Sequence, residues 1–230
     1  MKTYAIILAA GCGRRFGGDV SKQFLPLHGK PIFIHAIQAF DTHPSIGEII
    51  LVVPSDAPEM CKELCSRYEI SKLTKILVGG NSRQESSRIA IESIGREEAL
   101  VLIHDGVRPF LSPGMISRCL LALEDHLAVT LAVPASDTIL QMNSGGTVQC
   151  VPDRRRMMHS QTPQGFHLRV IQMAHRRACE ESIHGETDDC GLVVKFNLAS
   201  VHVVDGERRN IKITHCTDIG VAEMFAEHSE

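Results

Sequence analysis

Tyr4-Ala5-Ile6-Ile7-Leu8-Ala9-Ala10-Gly11-Cys12-Gly13-Arg14-Arg15-Phe16 stands at the start of the chain, with Ser21-Lys22-Gln23-Phe24 close behind. Residues 4–8 run without a charged break, as expected of a strand buried on both faces of a sheet. The run ends in Ala9, Ala10, Gly11 and Gly13, whose side chains project little or nothing, so the backbone of the following loop lies open. Open amides of this kind cradle phosphate oxygens, and Arg14, Arg15 and Lys22 bring the charge that several phosphates need. The stretch predicts a strand that delivers a phosphate-binding loop.

Outward from it, apolar runs alternate with helix-like segments. Residues 31–39 read as a helix with Ile32, His35, Ala36 and Ala39 on one face, and residues 48–54 as a second buried strand. Helices are expected at 57–68, 82–94 and 113–124, and strands at 74–78, 99–103 and 128–133, the strand at 99–103 delivering Asp105. Such alternation means a Rossmann-like α/β fold, a mostly parallel sheet with helices on both faces. Ligands bind such sheets at the carboxyl ends of the strands, so the opening loop, Gly79-Gly80 and Asp105 should share one rim. The pattern then breaks. Residues 137–141 and 147–151 flank Asn143-Ser144-Gly145-Gly146, a hairpin signal, and define an arm over about 135–152. A two-stranded ribbon is marginal alone in water, so the arm should lean on a second subunit. A helix at 168–182, a short helix opened by Thr187-Asp188-Asp189, strands at 200–204 and 210–214 and a helix at 217–227 complete one domain, 1–230, carrying that arm.

Composition narrows the partners. A formal charge of −3, no Trp and only two Tyr argue against nucleic acid as a ligand. No apolar run is long enough to span a bilayer, and residues 1–11 do not form a signal peptide, so a cytoplasmic protein off the membrane is expected. The eight Cys form no C-x-x-C pair and read as reduced thiols, and the twelve His show no zinc spacing. Gly11-x-Gly13 lacks the third glycine of a dinucleotide fingerprint, because Phe16 holds that position. The G-x-x-x-x-G-K-[ST] loop is also missing, and Pro54-Ser55 stands where a nicotinamide enzyme would place its acidic residue.

What remains is specific. Leu8-Ala9-Ala10-Gly11-x-Gly13-x-Arg15, Lys22-Gln23-Phe24 and Gly29-Lys30-Pro31-Ile32 resemble the signature of nucleotidyltransferases that act on sugar phosphates. Gly79-Gly80-x-x-Arg83-x-x-Ser86, His104-Asp105-x-x-Arg108-Pro109, Asp137-Thr138, Thr162-Pro163-Gln164, Thr187-Asp188 and Asn210-Ile211-Lys212-Ile213-Thr214 resemble the cytidylyltransferase branch. Over nearly its whole length the chain is similar to the 2-C-methyl-D-erythritol 4-phosphate cytidylyltransferase family of non-mevalonate isoprenoid biosynthesis. Ser21 departs from that pattern where a proline usually precedes the lysine, and Gly106-Val107 where Ala-Ala is commoner.

The resemblance implies transfer of CMP from CTP to the phosphate of a phosphorylated polyol, with Mg²⁺ held mainly by the CTP phosphates. It assigns catalysis to Arg15, Lys22 and Lys212, and nucleotide binding to Ala9, Ala10, Gly11, Gly13, Gly80, Arg83 and Ser86. It assigns the acceptor to Asp105, Arg108, Thr138, Arg154 and Thr187, with Arg108, Thr138 and Arg154 reaching in from the partner subunit of a homodimer. Arg155 and Arg156 read as a solvated basic cluster. An attacking phosphate oxygen is already largely ionised near neutral pH, so positioning and charge stabilisation, not a general base, carry such a reaction. Ribitol-5-phosphate cytidylyltransferase is the competing activity and a non-catalytic nucleotide-binding regulator the competing class. The presence of Arg15, Lys22 and Lys212 together argues against the regulator.

Overall fold

The computed structural model describes residues 1–11, 21–95 and 98–227. In chain order these form β1 (Lys2–Leu8), a short ribbon of β2 (Pro26–Leu27) and β3 (Lys30–Pro31), α1 (Ile32–Asp41), β4 (Glu48–Val53), α2 (Pro58–Arg67), β5 (Leu73–Val78), α3 (Arg83–Ser93), β6 (Ala99–Asp105), α4 (Pro113–Asp125) and β7 (Ala128–Pro134). The arm strands β8 (Gln141–Met142) and β9 (Val148–Cys150) follow, then β10 (Met158–His167), α5 (Leu168–Glu180), α6 (Asp189–Lys195), β11 (Val201–Asp205) and α7 (Thr217–Glu227).

Seven strands share one sheet in the order β11-β7-β10-β6-β1-β4-β5. Pairing is parallel except along β10, which runs antiparallel to both β6 and β7. The α/β expectation therefore holds. Alternation along β1 explains the two-sided core: Ala5 and Ile7 face one layer with Phe33, Phe40, Cys61 and Ile116, whereas Tyr4, Ile6 and Leu8 face the other with Ile91, Ile171 and Leu192. Helices α1, α2 and α4 thus cover one face, and α3, α5 and α6 the opposite one. The chain leaves β1 toward β4 and β5, then returns to its other side with β6, so strand order reverses beside β1. The crevice outside such a reversal is where this architecture places ligands.

Several expectations need correction. In α1 the buried side chains are Ile32, Phe33, Ile34, Ala36, Ile37 and Phe40, while His35 and Ala39 are only partly buried, so the buried face lies about one residue from the expected one. Residues 210–214 form no strand but an extended loop held by Asn210 and by the Ile213 amide on the Val107 carbonyl at 2.9 Å. The arm turns at residues 143–146 as expected, with Asn143 Oδ1 accepting from Gly145 and Thr147, but its paired strands are shorter than the composition suggests. Strand β10 is one that the sequence reading does not contain. It is polar and carries Pro163, yet Pro163 falls where the ladder shifts register between Ser160 and Gln164, a place where a missing N–H is tolerated.

Candidate active site

A cavity of about 490 Å³ opens at the carboxyl ends of the strands, lined among others by Ala9, Ala10, Gly11, Lys22, Gly80, Arg83, Asp105 and Lys212. The rim expected from the sequence is therefore real. Its first wall is the loop after β1. The Ala9 amide continues the sheet by donating to the Val52 carbonyl at 2.8 Å. Gly79 explains why small residues are needed here: a Cβ at that position would lie 2.3 Å from Ala10 Cβ and 2.8 Å from Ser86 Oγ. Gly106 is less demanding, since a Cβ there would meet Ala9 Cβ and the Leu8 carbonyl at 3.2 Å. Gly13 and Arg15 lie outside the described residues.

Lys22 enters on a single 3₁₀ turn, Lys22–Phe24, and lines the cavity. Ser21 before it has φ −62° and ψ 130°, the geometry that proline would impose. The departure at Ser21 therefore leaves the backbone where a proline would put it. Gln23, quoted in the motif but given no role from sequence, is buried and donates from Nε2 to the carbonyls of Ala9 at 2.8 Å and Gly11 at 3.0 Å.

The second wall is the loop between β5 and α3. Its amides point inward: Gly79 donates to Val53 O, Gly80 to Ser86 Oγ at 3.1 Å, and Asn81 to Glu85 Oε2 at 2.8 Å. Ser82 caps α3 by accepting from the Glu85 amide. Ser86 also donates to the Ser82 carbonyl, so its hydroxyl shapes the Gly80 loop. These bonds take up the amides of Gly79, Gly80 and Asn81, while Asn81, Ser82 and Arg83 line the cavity.

Asp105 is the hub of the third wall. Its Oδ1 accepts from Arg83 Nε at 3.0 Å and its Oδ2 from Lys212 Nζ at 2.7 Å, with Arg108 Nε 3.9 Å away. Burial works to raise its pKa, but Arg83, Lys212 and Arg108 outweigh that and hold the carboxyl well below the usual carboxylate range. Arg83 continues the chain, donating from Nη1 to Asp189 Oδ2 at 2.7 Å. Asp189, also buried, accepts from Ser87 Oγ at 2.6 Å and bonds His175 Nε2 at 3.0 Å. Burial opposes its ionisation, yet Arg83, His175 and Ser87 keep its pKa low. Asp189 belongs to the quoted corner but had no assigned role, because its partners come from distant parts of the chain.

Arg108 is buried within its own subunit, its guanidinium donating to the carbonyls of Asn210 at 2.7 Å and Ser160 at 3.4 Å beside Asp105, and it is not among the residues lining the cavity. Asn210, fully buried, also donates from Nδ2 to the Thr162 carbonyl at 2.8 Å and so fixes the loop that carries Lys212. Thr138 and Arg154 are exposed and are not among the residues lining the cavity; Arg154 donates to the Ser136 carbonyl at 2.7 Å at the base of the arm. Thr187 is exposed in the turn before α6 and is likewise not a lining residue. Among the described residues no group of three His, Cys, Asp or Glu side chains could hold a metal ion, and no helix is long and apolar enough to cross a membrane.

Comparison with known proteins turns this geometry into a family. The profile of IspD, 2-C-methyl-D-erythritol 4-phosphate cytidylyltransferase, matches residues 3–228. The chain belongs to that family. A relative of that name from Syntrophus aciditrophicus is 38% identical over 230 residues, covering 100% of this chain and 97% of its own length. Another from Syntrophotalea carbinolica is 37% identical, covering 99% and 97%. Among solved structures, 4-diphosphocytidyl-2C-methyl-D-erythritol synthase from Anaerococcus prevotii superposes with a TM-score of 0.87 at 29% identity, over 99% of this chain and 96% of that one. The Thermus thermophilus cytidylyltransferase gives 0.76 at 28% identity, over 96% and 98%.

Proposed function

We infer that the chain transfers the cytidylyl group of CTP to 2-C-methyl-D-erythritol 4-phosphate, forming 4-diphosphocytidyl-2-C-methyl-D-erythritol and pyrophosphate in non-mevalonate isoprenoid biosynthesis. The observation that carries this reading is the convergence, in a member of this family, of the opening loop, Lys22, Asp105 and Lys212 on one cavity. In the reaction a phosphate oxygen of the acceptor forms a bond to the α-phosphorus as the bond to the β-phosphate oxygen breaks, and the electron pair leaves with pyrophosphate. Both reactants are anions, so barrier lowering falls to positioning and to cations that meet the developing charge.

Arg15, Lys22 and Lys212 supply that charge. The amides of Ala10 and Gly11 serve the triphosphate, and the Gly80 loop forms the wall for the base and ribose. Ser86 acts on the nucleotide chiefly by shaping that wall, its hydroxyl being engaged with Gly80 and Ser82, while Arg83 is held by Asp105 and Asp189 through Nε and Nη1. Asp105 keeps acceptor capacity beyond its two cationic partners and takes the hydroxyls of the polyol; Thr187 assists. Both Asp105 oxygens already face cations, so the cavity offers Mg²⁺ no carboxylate cage. The ion belongs to CTP, whose phosphate oxygens and water would hold it, and contributes charge neutralisation.

The arm supports a homodimer. Leu140, Met142, Val148 and Val151 are each about half exposed or more, with no core beneath them, and Thr138 and Arg154 sit at its base rather than in their own cavity. A partner's cavity is their destination, where Arg154 meets the acceptor phosphate. Pyrophosphate release from CTP, UTP, ATP and GTP, each paired with methylerythritol phosphate or ribitol phosphate, tests the reading. Release with CTP and methylerythritol phosphate is expected; release only with ribitol phosphate, or none at all, would overturn it.

A further inference from the structure

Lys22 and the opening loop are separated in sequence, yet one buried side chain joins them. Gln23 is 1% exposed and both of its amide hydrogens are engaged, one on the Ala9 carbonyl at 2.8 Å and one on the Gly11 carbonyl at 3.0 Å. In a trans peptide the carbonyl and the following amide point in opposite directions. Holding the Ala9 carbonyl therefore fixes the direction of the Ala10 amide, on the side away from Gln23. Ala9's own amide is tied to Val52, whereas the amides of Ala10 and Gly11 make no bond within the described residues. The turn that carries Gln23 is itself anchored, because Phe24 packs edge-on against Phe33 with ring centroids 5.6 Å apart.

We propose that Gln23 is the positioning residue of the nucleotide half of the site, orienting the peptide planes of the opening loop while it fixes Lys22 beside them. Only a side chain of this length with two hydrogens on one nitrogen satisfies both carbonyls. Asn is one methylene too short, and Glu would set a carboxylate against two carbonyl oxygens. The inference rests on the reading that CTP binds against this loop.

The test compares the wild type with Gln23→Met, similar in length but without donors, and Gln23→Glu. CTP binding is followed by calorimetry, turnover by pyrophosphate release, and stability by urea unfolding. For Gln23→Met we expect CTP affinity and the KM for CTP to worsen about tenfold or more, with the acceptor KM changed by about twofold or less. Gln23→Glu should be weakest near pH 8 and regain CTP affinity toward pH 6, because a buried carboxyl facing carbonyls has a raised pKa, so lowering the pH protonates it and recovers one donor. A CTP affinity for Gln23→Met within about twofold of wild type would overturn the proposal. So would a parallel rise in both KM values tracking lost stability. If the wild type itself binds no CTP, the cytidylyltransferase reading fails first and this inference with it.

Discussion

Acidification is expected to destabilise this fold through a single histidine behind the acceptor site. His104 is fully buried, with its ring edge-on to Phe40 at 5.4 Å. Thr162 Oγ1 accepts from the Asp105 amide at 3.1 Å, so its one hydrogen goes to His104 Nδ1 at 3.0 Å, and Nε2–H donates to the Arg108 carbonyl at 3.0 Å. The neutral ring is thus satisfied at both nitrogens, and burial pushes its pKa from 6.5 down to about 4. Between those values the unfolded chain binds a proton that the folded chain refuses, so stability rises with pH and is lost on acidification. At about 1.4 kcal/mol per pH unit, His104 alone removes roughly 2 kcal/mol between pH 7 and pH 5, and about 3 by pH 4. Urea unfolding at several pH values, for wild type and His104→Gln, isolates the effect. Gln removes the proton site while keeping a donor for Arg108's carbonyl. His35 and His43, whose pKa values burial also lowers, act in both proteins and cancel in the comparison. Parallel pH slopes for the two proteins would refute the assignment.

Other perturbations follow from the same geometry. Gly79→Ala sets a Cβ 2.3 Å from Ala10 Cβ and should cost about 1–3 kcal/mol in urea unfolding while raising the KM for CTP; an unchanged KM would show that the two loops move independently. Ser21→Pro, at φ −62°, should stabilise the protein by about 0.4–1 kcal/mol with turnover preserved, as read by thermal unfolding and pyrophosphate release. Arg83→Met leaves Asp105 and Asp189 without their shared cation and should destabilise by about 3–5 kcal/mol in urea unfolding. Arg154→Ala should raise the acceptor KM while CTP binding survives, and sedimentation should report a dimer; an active enzyme that is monomeric at assay concentration would sink the partner-subunit role.

Hydrophobic periodicity was enough to read β1, β4, β6 and β7, because strands buried on both faces must be continuously apolar. It was blind to β10, which lies in the middle of the sheet yet is built from Ser160, Gln161, Thr162 and Gln164. Those polar residues are buried because they tie elements together: Gln164 donates to Asp188 and accepts from the Asp189 amide, and Thr162 joins Asp105 to His104. The same blindness hides part of the site's scaffold. Gln23, Asp189 and Asn210 look like ordinary polar residues until the partners 12 to 106 residues away are known. The bonds that tie Arg108 to Asn210 and Ser160 are equally invisible in the sequence.

The charge balance of the site makes sense of that polar scaffold. Within this network of described residues, Arg83, Arg108 and Lys212 carry three positive charges against the two negative charges of Asp105 and Asp189. Without the carboxylates, three cations crowded at the end of β6 would repel and the buried ones would lack partners. With them, the guanidiniums are locked, and Arg83 cannot leave without exposing two buried anions. Lys212 is the exception. Its partner is Asp105 Oδ2, but its side chain is more than a third exposed against about a fifth for Arg83 and a ninth for Arg108. Of the three it is the cation with the most freedom to turn away from its carboxylate, while Asp105 keeps Arg83 as a counter-charge. A site that must hold two anions together thus buries two of its cations and leaves one more open at the cavity that Lys22 also lines.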